Sequence, residues 1–203
     1  MSIASEIPPT LGLADPFQRV VADAGDRVAW LRARSRGITA TDAALLTSDA
    51  GIASVVRRKI EGDGFRGNAF TDHGRAREAA IAAWTQREHG IDPSTLLFHA
   101  ATDRRHLATP DGLRIQQGRI ELAEYKTTSK PWRSVPRSYL RQVWWQQYVL
   151  GAERTLVVWE EHHNFVPVAA EPRWCWIDRD EDEIAALVYR ADEVLLRLAT
   201  PTR

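Results

Sequence analysis

Three carboxylates and one ammonium stand out by their types and spacing. Glu78 lies in an alanine-rich run just after Gly74, Asp111 follows Pro110 at the start of a β-rich stretch, and Glu124 and Lys126 sit two apart in IELAEYK. Side chains two apart on a strand point the same way, so an acid and a base end a face that begins with apolar Ile120 and Leu122. Alone, an acid-x-lysine pair on a strand reads as a surface ion pair contributing at most about 1 kcal/mol. The other carboxylates change that reading. A short hairpin would carry Asp111 and Glu124 to one end of a sheet, where Glu78 meets them if its helix packs there. Converging carboxylates repel one another, and the usual remedy is a hard divalent cation bound through oxygen, magnesium or manganese. Such a cation lowers the pKa of bound water and neutralises charge building on a phosphate, and Lys126 would hold or help deprotonate that water and contact the phosphate.

Positioning those groups requires helices first and strands later. Residues from Pro16 to Arg34 read as one helix broken before Gly37, Thr39 or Thr41 offers an N-cap for TDAALLTSD, and SVVRRKIEG suggests a short helix ending at Gly62. Residues 62–70 form a glycine-rich loop, and Asp72 is a cap for the long run HGRAREAAIAAWTQREHG. Then TLLFHAAT, His106 to Thr109, GLRIQ and GRIELAEYKT read as short strands, with Gln117-Gly118 as a hairpin turn. SYLRQVWWQQYVLG is a helix ended by Gly151, RTLVVWEE and RWCWIDR are strands, and DEDEIAALVYRADEVLLRLA closes the pattern as an acidic amphipathic helix. This order predicts an α/β (α+β) fold with a mixed central β-sheet flanked by helices, residues 1–15 forming a loose N-terminal tail and 16–203 a single domain.

Composition bounds the function. The chain has 203 residues, no net charge and one cysteine, which rules out an intramolecular disulfide or a cysteine-rich metal site and argues against a protein that coats nucleic acid along its whole surface. Charge is nonetheless segregated: residues 101–154 carry ten Lys/Arg against five Asp/Glu, and residues 160–203 carry five against ten. That permits a basic groove on a neutral protein. No apolar run reaches transmembrane length and no secretory signal is recognisable, so the expected partners include no membrane and the expected location is the cytoplasm. His162 and His163, without carboxylate company, are expected to face solvent. At least one of the adjacent Trp144 and Trp145 belongs in the core, and Trp132 is a candidate for stacking on a base, with core packing as its alternative.

The motifs AWLRARSRGITATDAA, HGRAREAAIAAW, ATPDGL, IELAEYK and YLRQVWWQQYVLG, in this order, resemble the phage lambda exonuclease and YqaJ-type recombination nucleases of the PD-(D/E)XK superfamily over roughly residues 28–200. The resemblance implies a restriction-endonuclease-like core in which Glu78, Asp111 and Glu124 bind metal together with the backbone carbonyl of Tyr125, Lys126 is the catalytic lysine, and Gln142 is a helical glutamine close to the site. It further implies that Arg34 and Thr41 hold a terminal 5′-phosphate, with Thr in place of the more usual Ser. The activity so implied is a magnesium-dependent 5′→3′ exodeoxyribonuclease, with a pair of ions and manganese as substitute, acting on double-stranded DNA ends to leave 3′ overhangs for recombination. A ring-shaped homotrimer and a single-strand annealing protein are the partners the resemblance implies. Two rivals stay open: an endonuclease or single-strand or defence nuclease on the same site, and a non-catalytic DNA-binding accessory.

Overall fold

The computed structural model describes residues 15–62 and 69–200, with residues 69–71 given by backbone alone. The tail expected over 1–15 lies outside them apart from Asp15, as do residues 63–68 of the glycine-rich loop expected over 62–70, whose last two residues belong to the helix that follows.

The stretch read as one helix from Pro16 to Arg34 is three pieces: a 3-10 turn at Pro16–Arg19, strand β1 at Val20–Asp23 and helix α1 at Arg27–Ser35. The β-branched Val20-Val21 pair favours a strand, and β1 pairs antiparallel with Leu96–His99. Two aspartates write the turn that the helical pattern hid. Asp23 Oδ1 accepts from the Gly25 amide at 2.6 Å, and Asp26 caps α1 by accepting from the Ala29 amide at 3.0 Å.

Helix α2 (Ala40–Ala43) is a single turn, capped by Thr39 rather than Thr41 through a capping box with Asp42. Helix α3 (Asp49–Glu61) is capped by Ser48. Helix α4 (Ala69–His89) starts before Asp72, which therefore lies in its first turn instead of capping it. The strands follow as β2 (Asp92–Pro93), β3 (Leu96–His99), β4 (Leu107–Ala108), β5 (Gly112–Gln116) and β6 (Arg119–Thr128). Helix α5 (Arg137–Leu150), strands β7 (Arg154–His163), β8 (Val166–Pro167) and β9 (Arg173–Asp178), and helix α6 (Glu181–Ala199) complete the order.

The main sheet runs β2-β5-β6-β7-β8, with β9 also on β7; β6 and β7 are parallel and the other neighbours antiparallel. Strands β1, β3 and β4 form a second sheet. The β5–β6 hairpin turns at Gln117 and Gly118, whose φ angles of 53° and 77° are those of a two-residue turn that matches strand twist. Alternation along β6 gives its two faces to different helices. Ile120 and Leu122 bury with Trp144 and Trp145 of α5, whereas Ala123 and Tyr125 bury with Ile81 and Trp84 of α4. The mixed sheet flanked by helices is the expected architecture, and β6 lies between the two helices that carry the candidate acids and amides. No helix among the described residues is long and apolar enough to cross a membrane.

Candidate active site

Strand β5 begins one residue after a site. Gly112 pairs with Ala123, and a side chain at Gly112 would come within 2.9 Å of the Tyr125 hydroxyl and 3.0 Å of Ala123 and Ile91, so only glycine lets the chain approach this closely. Immediately before it, Asp111 turns its carboxylate back onto β6 and accepts from the Tyr125 amide at 2.7 Å, capping the strand edge that β5, starting at Gly112, leaves uncovered. A residue's N–H and C=O in a strand point to the same edge, so the Tyr125 carbonyl opens toward Asp111 as well.

Glu124 is 4% exposed on the opposite face of β6, between two donors. Lys126 Nζ donates to Oε1, and Gln146 Nε2 donates to Oε2 at 2.7 Å. Gln146 Oε1 is buried and has no hydrogen-bond partner among the described residues. Lys126 also lies over the Tyr139 ring, 5.1 Å from its centre. Glu78 comes from α4, whose stripe Glu78, Ile81, Ala82 and Thr85 follows the helical repeat onto β6. A cavity of about 440 Å³ collects Glu78, Asp111, Tyr125, Lys126 and Tyr139, together with Gly74, Arg75 and Thr127.

The electrostatics are those of acids forced together. Burial, and then Glu124, push the Asp111 carboxyl well above the ordinary range, against the opposing pull of Lys126 and the Tyr125 amide. Glu78 sits at the open mouth, yet partial desolvation and then Glu124 raise it too, against Lys126 and Arg75. Burial disfavours the charge on Lys126, but Glu124 and Asp111 outweigh it and its pKa is raised, so Lys126 is a cation at any working pH. A lysine so held is a poor proton acceptor and a good electrostatic donor. An all-oxygen set of raised carboxylates suits a hard cation, and Glu78, Asp111, Glu124 and the Tyr125 carbonyl are the groups that fit one.

Gln142, expected close to the site, lies on α5. It is half-buried one turn before Gln146 on α5 and makes no hydrogen bond among the described residues, whereas Gln146 touches Glu124. Burial marks Gln146 in the structure: α5 has seven buried positions, and a buried amide calls for a partner. His162, expected to face solvent, is 3% exposed. Its ring lies 4.5 Å from that of His73. Trp144 and Trp145 are both buried, and Trp132 stacks on Trp159 at 5.4 Å, which favours its packing role.

Arg34 and Thr41 line a second cavity of about 150 Å³ with Ser35, Thr39, Arg58 and Lys59. The Arg34 guanidinium lies over Trp30 at 4.2 Å. Beneath them buried Asp42 takes Arg58 at 2.9 Å and Lys59 at 2.8 Å. Arg58 and Lys59 were missed in the sequence because a helical RRK run reads as a solvated face, and only the buried Asp42 sixteen residues earlier turns it inward.

Residues 29–153 match the family described as the YqaJ-like viral recombinase domain. No curated protein matches the chain. Among solved structures, an alkaline exonuclease (LHK-Exo) from Laribacter hongkongensis has a TM-score of 0.65 at 22% identity, over 83% of this chain and 91% of that one. The same exonuclease in complex with dAMP gives 0.65 at 21% identity over the same shares. A phage-related exonuclease from Haemophilus somnus 129PT gives 0.61 at 11% identity, over 78% of this chain and 91% of that one. These likenesses share the fold, a curled mixed sheet flanked by helices.

Proposed function

Because the chain belongs to the YqaJ-like viral recombinase family, we propose that it is a magnesium-dependent exodeoxyribonuclease that degrades one strand of linear duplex DNA 5′→3′ and leaves 3′ overhangs for recombination. The observation that carries this reading is Glu124, buried between Lys126 and Gln146 beneath a cavity that Asp111 and Glu78 line with raised carboxyls. Glu78, Asp111, Glu124 and the Tyr125 carbonyl would hold magnesium, or manganese in its place, and the cation would supply an acidified water and neutralise phosphate charge. Lys126, kept protonated, orients the attacking water and stabilises charge developing on the scissile phosphate. Gln146 fixes the carboxylate plane of Glu124. The cavity with Arg34 and Thr41, backed by Arg58 and Lys59, is the place for a terminal 5′-phosphate dianion, which guanidinium and hydroxyl donors suit.

The structures similar to this chain include exonucleases, which supports action from an end. A homotrimer, a single-strand annealing partner and a cytoplasmic setting belong to the same reading. Incubation with linear and with covalently closed circular duplex tests it: only the linear form should disappear, and only with magnesium or manganese present. Cleavage of the closed circle would replace the reading with an endonuclease on the same residues.

A further inference from the structure

We propose a second metal site, remote in role from the nuclease centre, in which His106 Nε2, Asp103 and Asp192 hold a zinc ion. One ligand atom from each of the three lies within 4.8 Å of the others, the one such trio among the described residues. The nuclease carboxylates form no trio as close.

The histidine gives the cluster its direction. His106 is 1% exposed, and its Nε2 faces Asp192 Oδ1 at 3.3 Å without a hydrogen bond. Its other nitrogen, Nδ1, lies 2.9 Å from the Tyr148 hydroxyl, which lies 2.5 Å from Thr102 Oγ1. When Nδ1–H donates to Tyr148 and Tyr148 donates to Thr102, the Nε2 lone pair is left aimed at carboxylates. That arrangement calls for a cation between them, and a histidine fixed through its far nitrogen is how proteins orient a metal-bound imidazole. Trp145 packs its ring against His106 at 4.9 Å and holds it in place.

Charge permits the ion. Arg105 donates to Asp103 through its backbone amide, Nε and Nη2, and three N–H groups against about four lone-pair sites leave one for an ion. Two carboxylates against one guanidinium leave one negative charge for the cation. One imidazole and two carboxylates form a mixed nitrogen and oxygen set that suits zinc, whereas the nuclease centre is all oxygen and suits magnesium. The site would tie the Asp103–His106 turn to α6. That turn carries Ile38, whose amide donates to the Arg105 carbonyl at 2.7 Å, and Ile38 leads directly into Thr39 and α2. A side chain at Gly37 would meet the Arg105 carbonyl at 2.2 Å, so the two segments are docked without slack.

Cobalt(II) is the probe, because a four-coordinate nitrogen and oxygen site gives intense visible absorption and a six-coordinate oxygen site gives little. Chelator-treated protein in excess magnesium should take up one cobalt with the intense spectrum, and zinc should displace it. Asp192→Ala, at a side chain 58% exposed and so of little cost to the fold, should weaken binding by more than the roughly 10–100-fold that losing an outer-shell partner costs. Asp111→Asn should keep the intense spectrum. Absence of that spectrum in the parent, or its survival in Asp192→Ala, would overturn the site and leave His106 and Asp192 as a plain polar contact. Its loss in Asp111→Asn would assign the cobalt to the nuclease centre and overturn the proposal equally.

Discussion

Gln146 Nε2 lies 2.7 Å from Glu124 Oε2, so the buried acid of β6 is held in plane by an amide from α5 while Lys126 takes its other oxygen. A carboxylate fixed at both oxygens cannot rotate away from Asp111 and Glu78, whose carboxyls are raised by burial and then by Glu124. The site is therefore built from two helices pressed against one strand.

Removing that amide should loosen the acid without unfolding the chain. Gln146→Ala should lower the rate of magnesium-dependent digestion by about 10–100-fold, the range for outer-shell partners of metal-binding groups. Gln142→Ala should do less. Steady-state rates of the two variants at saturating magnesium decide between them, and a larger loss at Gln142 would put the working glutamine one turn earlier.

Asp111 gives a stability prediction with a definite sign. A carboxyl whose folded pKa lies above its unfolded value binds protons more tightly when folded, so metal-free protein loses stability as pH rises from the ordinary carboxylate range toward the raised value, and stays at the lower level above it. Asp111→Asn keeps an acceptor for the Tyr125 amide and removes the repulsion. In chelator at neutral pH it should melt higher than the parent, a gain of about 1 kcal/mol moving Tm by roughly 2–4 °C in a chain of this size, while losing digestion. A lower Tm for this variant would mean that the carboxylate is held comfortably.

Much of this was legible in the residues. Glu124 and Lys126 betrayed themselves as charge ending an apolar stripe, because strand alternation is strict and a buried face admits charge only for a reason. The β5–β6 hairpin was written in Gln117-Gly118. Val20-Val21 was hidden inside a pattern whose apolar spacing also fits a helix, and only its pairing with β3 decides the matter. Gln146 could not be chosen over Gln142 without knowing which face of α5 meets β6. His162 was hidden because His73, whose ring meets its own, arrives from α4, while Phe165 comes from the turn that follows it.

Lys126 is predicted to act as a fixed cation. Lys126→Ala should cost about 3 kcal/mol or more of transition-state stabilisation, the scale of losing a preorganised electrostatic donor. A variant with near-parent turnover and a lowered Tm would reduce Lys126 to an ion-pair partner.

The cavity of Arg34 and Thr41 predicts end recognition. At fixed salt, duplex with a 5′-phosphate should be digested faster than the same duplex with a 5′-hydroxyl, and Arg34→Ala should erase most of the difference. Arg58→Ala should reduce it as well. Equal rates on both ends in the parent would remove the phosphate from this cavity.

Direction of digestion shows in the order in which label leaves a linear duplex tagged at one 5′ or one 3′ end, with magnesium and with chelator. The 5′ label should appear as mononucleotide from the first time points, the 3′ label should stay in long strands until late, and chelator should stop both. Early release of 3′ label, or release unaffected by chelator, would contradict the proposed function.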